Sequence, residues 1–161
     1  MSAAQQVLIR RPHAGRYGVD ADATTTMYLA SRRAMLPGRK DPHSEAETRA
    51  WMRDTVFARH VVRVAEAAGE IVGFAARDGA WLTHLYVAPG WTGRGIGSQL
   101  LKVILADAAT ATPVLRVYTF ARNAGARRFY ERHGFAAVSF GDGSGNEEHE
   151  PDVRYERATR D

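Results

Sequence analysis

The chain has 161 residues, 45% apolar and 25% charged, a size and balance that fit one globular domain over 1–161 and leave no room for two. It contains no cysteine, which excludes a disulfide framework, a thiolate nucleophile and a cysteine metal site; no metal is expected. The formal net charge of +4 rests almost wholly on arginine, with Lys40 and Lys102 the only lysines, and apart from pairs such as Arg10-Arg11, Arg32-Arg33 and Arg127-Arg128 the arginines are scattered as solvated surface cations, without the aromatic-interleaved basic tract of a nucleic-acid binder.

No apolar run approaches the roughly 18 residues of a membrane span, and the opening MSAAQQVLIRRPHAG lacks the apolar region of a secretory signal. A cytoplasmic protein with no membrane partner is expected. VLIR at 7–10 predicts a short strand. A first helix follows over about 23–36 and stops at the breaker pair Pro37-Gly38. A second starts at Ser44, where Glu47 three residues on completes a capping box, and carries Trp51, Met52 and Val56 toward a core. The period then changes to alternation. Three strands are predicted at 60–66, 70–76 and 80–87, joined at Ala68-Gly69 and Asp78-Gly79 as an antiparallel meander.

Next comes GRGIGS at 93–98, opening a helix whose stripe is Ile96, Leu100 and Ile104 and which runs to about Ala109. The strand 114–120 is reached by this helical crossover, so it is expected to lie parallel to the strand ending at Val87. A helix at 123–133, a strand at 135–140, the loop GDGSGN, an acidic patch EEHE and a last strand around 153–157 complete the chain.

A strand handing over to a helix through glycines is suited to holding phosphate. Glycine permits positive φ and removes blocking side chains, and the helix start adds about half a positive charge. A P-loop requires GxxxxGK, and that lysine is missing here. The dinucleotide fingerprint GxGxxG fails too: from Gly93 its third glycine falls on Ser98, and from Gly95 on Leu100. An unliganded turn stays open on these residues alone.

The stretch LYVAPGWTGRGIGSQLL, then LRVYTF, then NAGARRFYERHGF, resembles the GNAT family of N-acetyltransferases in two of its motifs, in order, over roughly 60–140, and the tail EPDVRYE is also similar. Val87, Pro89, Gly95 and Gly97 match the family pattern, while Thr92 stands where Gln or Arg is usual. The resemblance implies an α+β (mixed α/β) acyl-CoA N-acyltransferase fold, with a central, mostly antiparallel mixed sheet of about seven strands flanked by about four helices. It implies acetyl-CoA as cosubstrate, with its pyrophosphate on the amides around Thr92, Gly93, Arg94, Gly95, Ile96, Gly97 and Ser98. Its pantetheine arm would lie along the strand through Leu85, Tyr86 and Val87, and its adenosine end near Asn123 and Arg127.

The activity so implied is acetyl transfer from acetyl-CoA directly to an amine, without an acyl-enzyme; the alternative is a non-catalytic acyl-CoA sensor of the same fold. Tyr130 resembles the family tyrosine that protonates the leaving thiolate, against its plain reading as a core aromatic beside Phe129. Asn123 is also a preferred N-cap. On the order of one alkyl amine in a thousand is neutral at pH 7, so a base is needed, and His84, Glu66 or the patch Glu147, Glu148 and Glu150 are candidates. An oxyanion is expected to be met by a backbone N–H near Leu85 or Tyr86. For the acceptor, a small-molecule amine is favoured over a protein N-terminus or lysine, the carboxylates Glu147, Glu148, Glu150 and Asp152 offering a rim to a cation or forming only a solvated, mobile loop. An unpaired last strand near Val153 would allow a homodimer.

Overall fold

The computed structural model describes residues 6–14, 17–35, 37–38 and 40–160; the expected helix end at Leu36 and the opening residues 1–5 fall outside them. Seven strands form one sheet in the order β1-β2-β3-β4-β5-β7-β6. They are β1 (Leu8–Arg10), β2 (Val61–Ala67), β3 (Glu70–Asp78), β4 (Trp81–Val87), β5 (Val114–Phe120), β6 (Ala136–Gly141) and β7 (Asp152–Ala158). The helices are α1 (Tyr17–Met35), α2 (Glu45–Trp51), which runs on as a π-helical segment Met52–Phe57, α3 (Ile96–Ala108) and α4 (Ala124–Arg132). The chain groups into two compact units, Met1–Asp78 with His84–Ile104, and Gly79–Thr83 with Leu105–Asp161.

In the first unit, α1 begins six residues before its predicted start. The reason is tertiary: Asp20, in its first turn and buried, takes two hydrogen bonds from Arg10 of β1 at 3.0 and 3.1 Å and one from the His13 backbone N–H at 2.8 Å. Burial opposes the charge on Asp20, yet these donors hold its carboxyl below the ordinary value. The capping box at α2 forms as expected, with Glu47 N–H donating to Ser44 Oγ at 3.1 Å and Ser44 N–H to Glu47 Oε1 at 3.3 Å. Ala68 and Gly69, at φ 52° and 80°, make the two-residue turn that fixes Ala67 opposite Glu70.

Met27, Tyr28 and Leu29 of α1 join Met52, Val56 and Phe57, and Val64 and Phe74 of the sheet, in one core. Gly73 points the other way, as a neighbour in a strand must. A Cβ there would lie 3.1 Å from Tyr86 O, 3.2 Å from Ile96 and 3.3 Å from Leu100, so a larger residue would press on β4 and α3 by a few tenths of an ångström, about 0.3 Å.

In the second unit, β4 meets β5 in parallel through Trp81 and Arg116, as the helical crossover predicts. Leu115, Val117, Val153 and Tyr155 alternate inward along β5 and β7 and are all buried. The last strand corrects an expectation. β7 is not unpaired: it pairs antiparallel with β5 over 114–120 and with β6 over 136–141, lying between them. The backbone N–H and C=O groups of β7 thus find partners on both sides, and the sheet edges fall on β1 and β6 instead.

Candidate active site

At the end of β4 the chain turns through Gly90, Gly93 and Gly95, at φ +86°, +76° and +81°, all in the left-handed region that disfavours other residues. Trp91 N–H bonds to Ala88 O at 3.0 Å, and Arg94 lies over the Trp91 ring at 4.6 Å, a cation–π contact. The first helical bond of α3 is Gln99 N–H to Gly95 O at 3.0 Å. A helix start leaves its earliest N–H groups without intrahelical partners, and Ile96 and Gly97 stand there. Added Cβ atoms at Gly93 and Gly95 would meet nothing within 4 Å. The space beside those two glycines is open, and N–H donors at a helix start suit an anion. Ile96 alone of this stretch is buried, anchoring the helix while Thr92, Gly93, Arg94 and Gly95 stay exposed.

On β4, Leu85, Tyr86 and Val87 are half-buried, and Val87 O accepts from Ser31 Oγ of α1 at 3.1 Å. His84 lies deep in a cluster of rings: Phe74 at 5.6 Å, Trp51 at 5.1 Å, Tyr28 at 5.9 Å and Tyr86 at 6.2 Å. Burial, then the charges of His60 and Arg32, push its imidazole down to about 3. Burial of this kind weakens its pull on a proton from an ammonium group. Glu66 is likewise engaged elsewhere, accepting from Arg10 Nε at 3.0 Å in the ladder between β1 and β3. Trp51, expected in the core, is 37% exposed at the edge of the His84 cluster.

In the second unit, α4 carries Asn123, Arg127 and Tyr130. Asn123 is the N-cap, its Oδ1 accepting from Ala126 N–H at 3.0 Å. Arg127 donates to the hydroxyl of Tyr155 at 3.1 Å, and that hydroxyl donates on to Glu131 at 2.9 Å. Tyr130 is 6% exposed, among Phe129 at 5.3 Å, Phe135 at 5.4 Å and Tyr155 at 6.1 Å. The acidic segment is not a loose loop. Asn146 Nδ2 donates to Glu150 O at 2.8 Å and to Asp152 at 3.2 Å, Glu150 N–H returns a bond to Asn146 Oδ1 at 3.2 Å, and Glu150 pairs with Arg122 at 3.4 Å.

Two residues carry weight that no local pattern gave away. Gly73 sits in an ordinary strand run, and the crowding there comes from α3, twenty-odd residues on. Arg32, read as one of a solvated pair, is half-buried, donates to Tyr28 Oη at 3.1 Å and lies 5.6 Å from the centre of that ring. Burial opposes the charge on its guanidinium, while the Tyr28 hydroxyl and the Asp41 carboxylate favour it.

Among known proteins, a family model described as acetyltransferase (GNAT) domain matches residues 58–137. No curated protein matches the sequence. Solved structures that resemble the chain include an N-acetyltransferase from Staphylococcus aureus Mu50, 20% identical with TM-score 0.75, covering 96% of this chain and 99% of that one. PaiA N-acetyltransferase from Thermoplasma acidophilum, in complex with coenzyme A, is 20% identical with TM-score 0.71, covering 95% and 99%. YncA from Salmonella typhimurium, with its cofactor acetyl-CoA, is 18% identical with TM-score 0.75, covering 97% and 95%. The same seven-stranded mixed sheet with four helices is thus shared across nearly the whole chain.

Proposed function

The chain belongs to the GNAT acetyltransferase family, and from that premise we propose that it transfers an acetyl group from acetyl-CoA to the nitrogen of a small amine. The observation that carries this reading is the glycine turn at the start of α3, where left-handed Gly93 and Gly95 leave open space around themselves just before the N–H groups of Ile96 and Gly97. Two similar structures, PaiA and YncA, were solved with coenzyme A and acetyl-CoA respectively, which supports the same ligand here. Thr92, Arg94 and Ser98 add polar side chains to that turn in place of the usual Gln or Arg. Leu85, Tyr86 and Val87 offer backbone groups to the pantetheine arm, and Asn123 and Arg127 are assigned to the adenosine end.

When bound, acetyl-CoA supplies an acetyl thioester. The amine nitrogen bonds to the acetyl carbon, the carbon–sulfur bond breaks, and Tyr130 is assigned to protonate the departing thiolate while a backbone N–H near Leu85 or Tyr86 meets the oxyanion. With His84 pushed down to about 3 and Glu66 paired with Arg10, the amine's own proton is assigned to water and, through it, to the patch Glu147, Glu148 and Glu150. The reading keeps a cytoplasmic setting, with neither nucleic acid nor membrane as partner; among the described residues no helix is long and apolar enough to cross a membrane.

The test is thiol release from acetyl-CoA over a panel of amines, alongside direct binding of acetyl-CoA. Release with at least one amine is expected. Tight binding of acetyl-CoA without release from any amine would instead mark a sensor of acyl-CoA.

A further inference from the structure

Tyr130 stands in the last turn of α4, a helix of nine residues. Helix ends fray, and a helix this short is marginal on its own, so its last turn aims a side chain poorly unless something outside the helix fixes it. That support comes from β7. The hydroxyl of Tyr155 accepts from Arg127 Nε at 3.1 Å and donates to Glu131 Oε2 at 2.9 Å. One oxygen thus ties together residues a full turn apart, one on either side of Tyr130 in the chain. Two residues on, and on the same face of the strand, Arg157 Nη1 donates to the carbonyl of His133, the C-cap of α4, at 2.9 Å. The Tyr155 ring itself lies 6.1 Å from the ring of Tyr130.

The anchor is rigid. Tyr155 is fully buried in the middle of β7, opposite Val117 of β5 and Ala137 of β6, so its backbone is paired on both sides. A phenylalanine would fill the same space in the core; what the hydroxyl adds is the pair of bonds to α4. Its single proton is committed to Glu131, so it has none to give to a reacting group.

Resting on the reading of Tyr130 as the acid, we infer that Tyr155 is a positioning residue for acetyl transfer: its hydroxyl, held between Arg127 and Glu131, fixes the last turn of α4 and with it the direction in which Tyr130 points. Tyr155 takes no part in the chemistry itself. Catalysis by an acid depends on sub-ångström placement, and here that placement is supplied from a strand rather than from the helix that carries the acid.

The experiment is a double-mutant cycle on turnover, read by thiol release at saturating acetyl-CoA and amine in the wild type, Tyr155→Phe, Tyr130→Phe and the double variant. Tyr155→Phe is expected to lower kcat about tenfold and leave KM for the amine in place. In the Tyr130→Phe background the same change is expected to cost nothing further. A general loosening of the fold would act in both backgrounds alike, so a loss that persists without the Tyr130 hydroxyl overturns the inference. Glu131→Ala removes the exposed acceptor of the Tyr155 bond and leaves the core intact, which guards against a Tyr155 variant that does not fold. It is expected to show a smaller loss with the same dependence on Tyr130. A wild-type kcat in Tyr155→Phe or in Glu131→Ala overturns the inference while acetyl transfer stands. Unaltered turnover in Tyr130→Phe overturns the assignment of the acid and this inference with it, and no thiol release by the wild type with any amine overturns the acetyltransferase reading itself.

Discussion

Two groups of rings enclose two of the titratable side chains put forward for proton transfer, and burial has opposite consequences for their roles. Around His84 the rings of Tyr28, Trp51, Phe74 and Tyr86 exclude water, and with Arg32 and His60 nearby the imidazole is deprived of its positive form. Around Tyr130 the rings of Phe129, Phe135 and Tyr155 exclude water from a group that is neutral at pH 7 to begin with. Desolvation penalises the charged form. A base that must take up a proton is disabled by such a nest, whereas an acid that must hold one until the reaction is preserved by it. The second cluster also carries the bonded series Arg127, Tyr155 and Glu131, which fastens α4 to β7.

The contrast can be broken at three points. The largest effect is expected for Tyr130→Phe, which should lower turnover about 100-fold, within the range for loss of a general acid, while acetyl-CoA affinity measured by calorimetry stays nearly unchanged. Unchanged turnover would reduce Tyr130 to packing and erase the distinction. Next is Tyr155→Phe. Removing the buried hydroxyl that serves both Arg127 and Glu131 should cost about 2 kcal/mol in denaturant unfolding, and a loss near zero would show that α4 is held by its rings alone.

The smallest effect is expected at His84. Its folded value lies below its unfolded one, so the unfolded chain takes up the proton first as pH falls; the associated stability is complete above about pH 6.5 and is lost progressively toward pH 3. His84→Phe should therefore flatten the stability curve between pH 6 and pH 4 by about 1 kcal/mol per pH unit and keep turnover at neutral pH. A large loss of turnover in this variant, with acid stability unaltered, would restore His84 as a base.

Features that depend on a few neighbouring residues were legible from the chain alone. Ser44 with Glu47, Ala68-Gly69, Asn123 as a cap and the glycines before α3 each satisfy a local backbone demand, and each appears where the pattern puts it. What escaped depends on distant partners. The first turn of α1 contains Gly18 and Asp20, poor helix formers, and forms because Arg10 holds Asp20 from a separate strand. Gly73 is crowded by Ile96 and Leu100, and His84 is enclosed by rings drawn from α1, α2, β3 and β4. The place of β7 between β5 and β6 is a matter of topology, which the alternation within Val153–Arg157 does not encode. At the candidate site, the glycine turn and α4 were readable because glycine-led helix starts and caps have local signatures; Arg32 was not, since an arginine pair looks the same in a sequence whether solvated or half-buried.

The insertion of β7 also sets an order of events in synthesis. β5 and β6 are joined only through the strand that comes after both, so until Asp152–Ala158 has emerged each waits with a row of unpaired backbone groups. During that interval the nascent chain is exposed to pairing with strangers, and closing the gap requires a contact spanning Val114 to Ala158 rather than a hairpin. Folding of this half is therefore expected to be slow beside the β2–β3 hairpin, which can zip from its two-residue turn as soon as it is made.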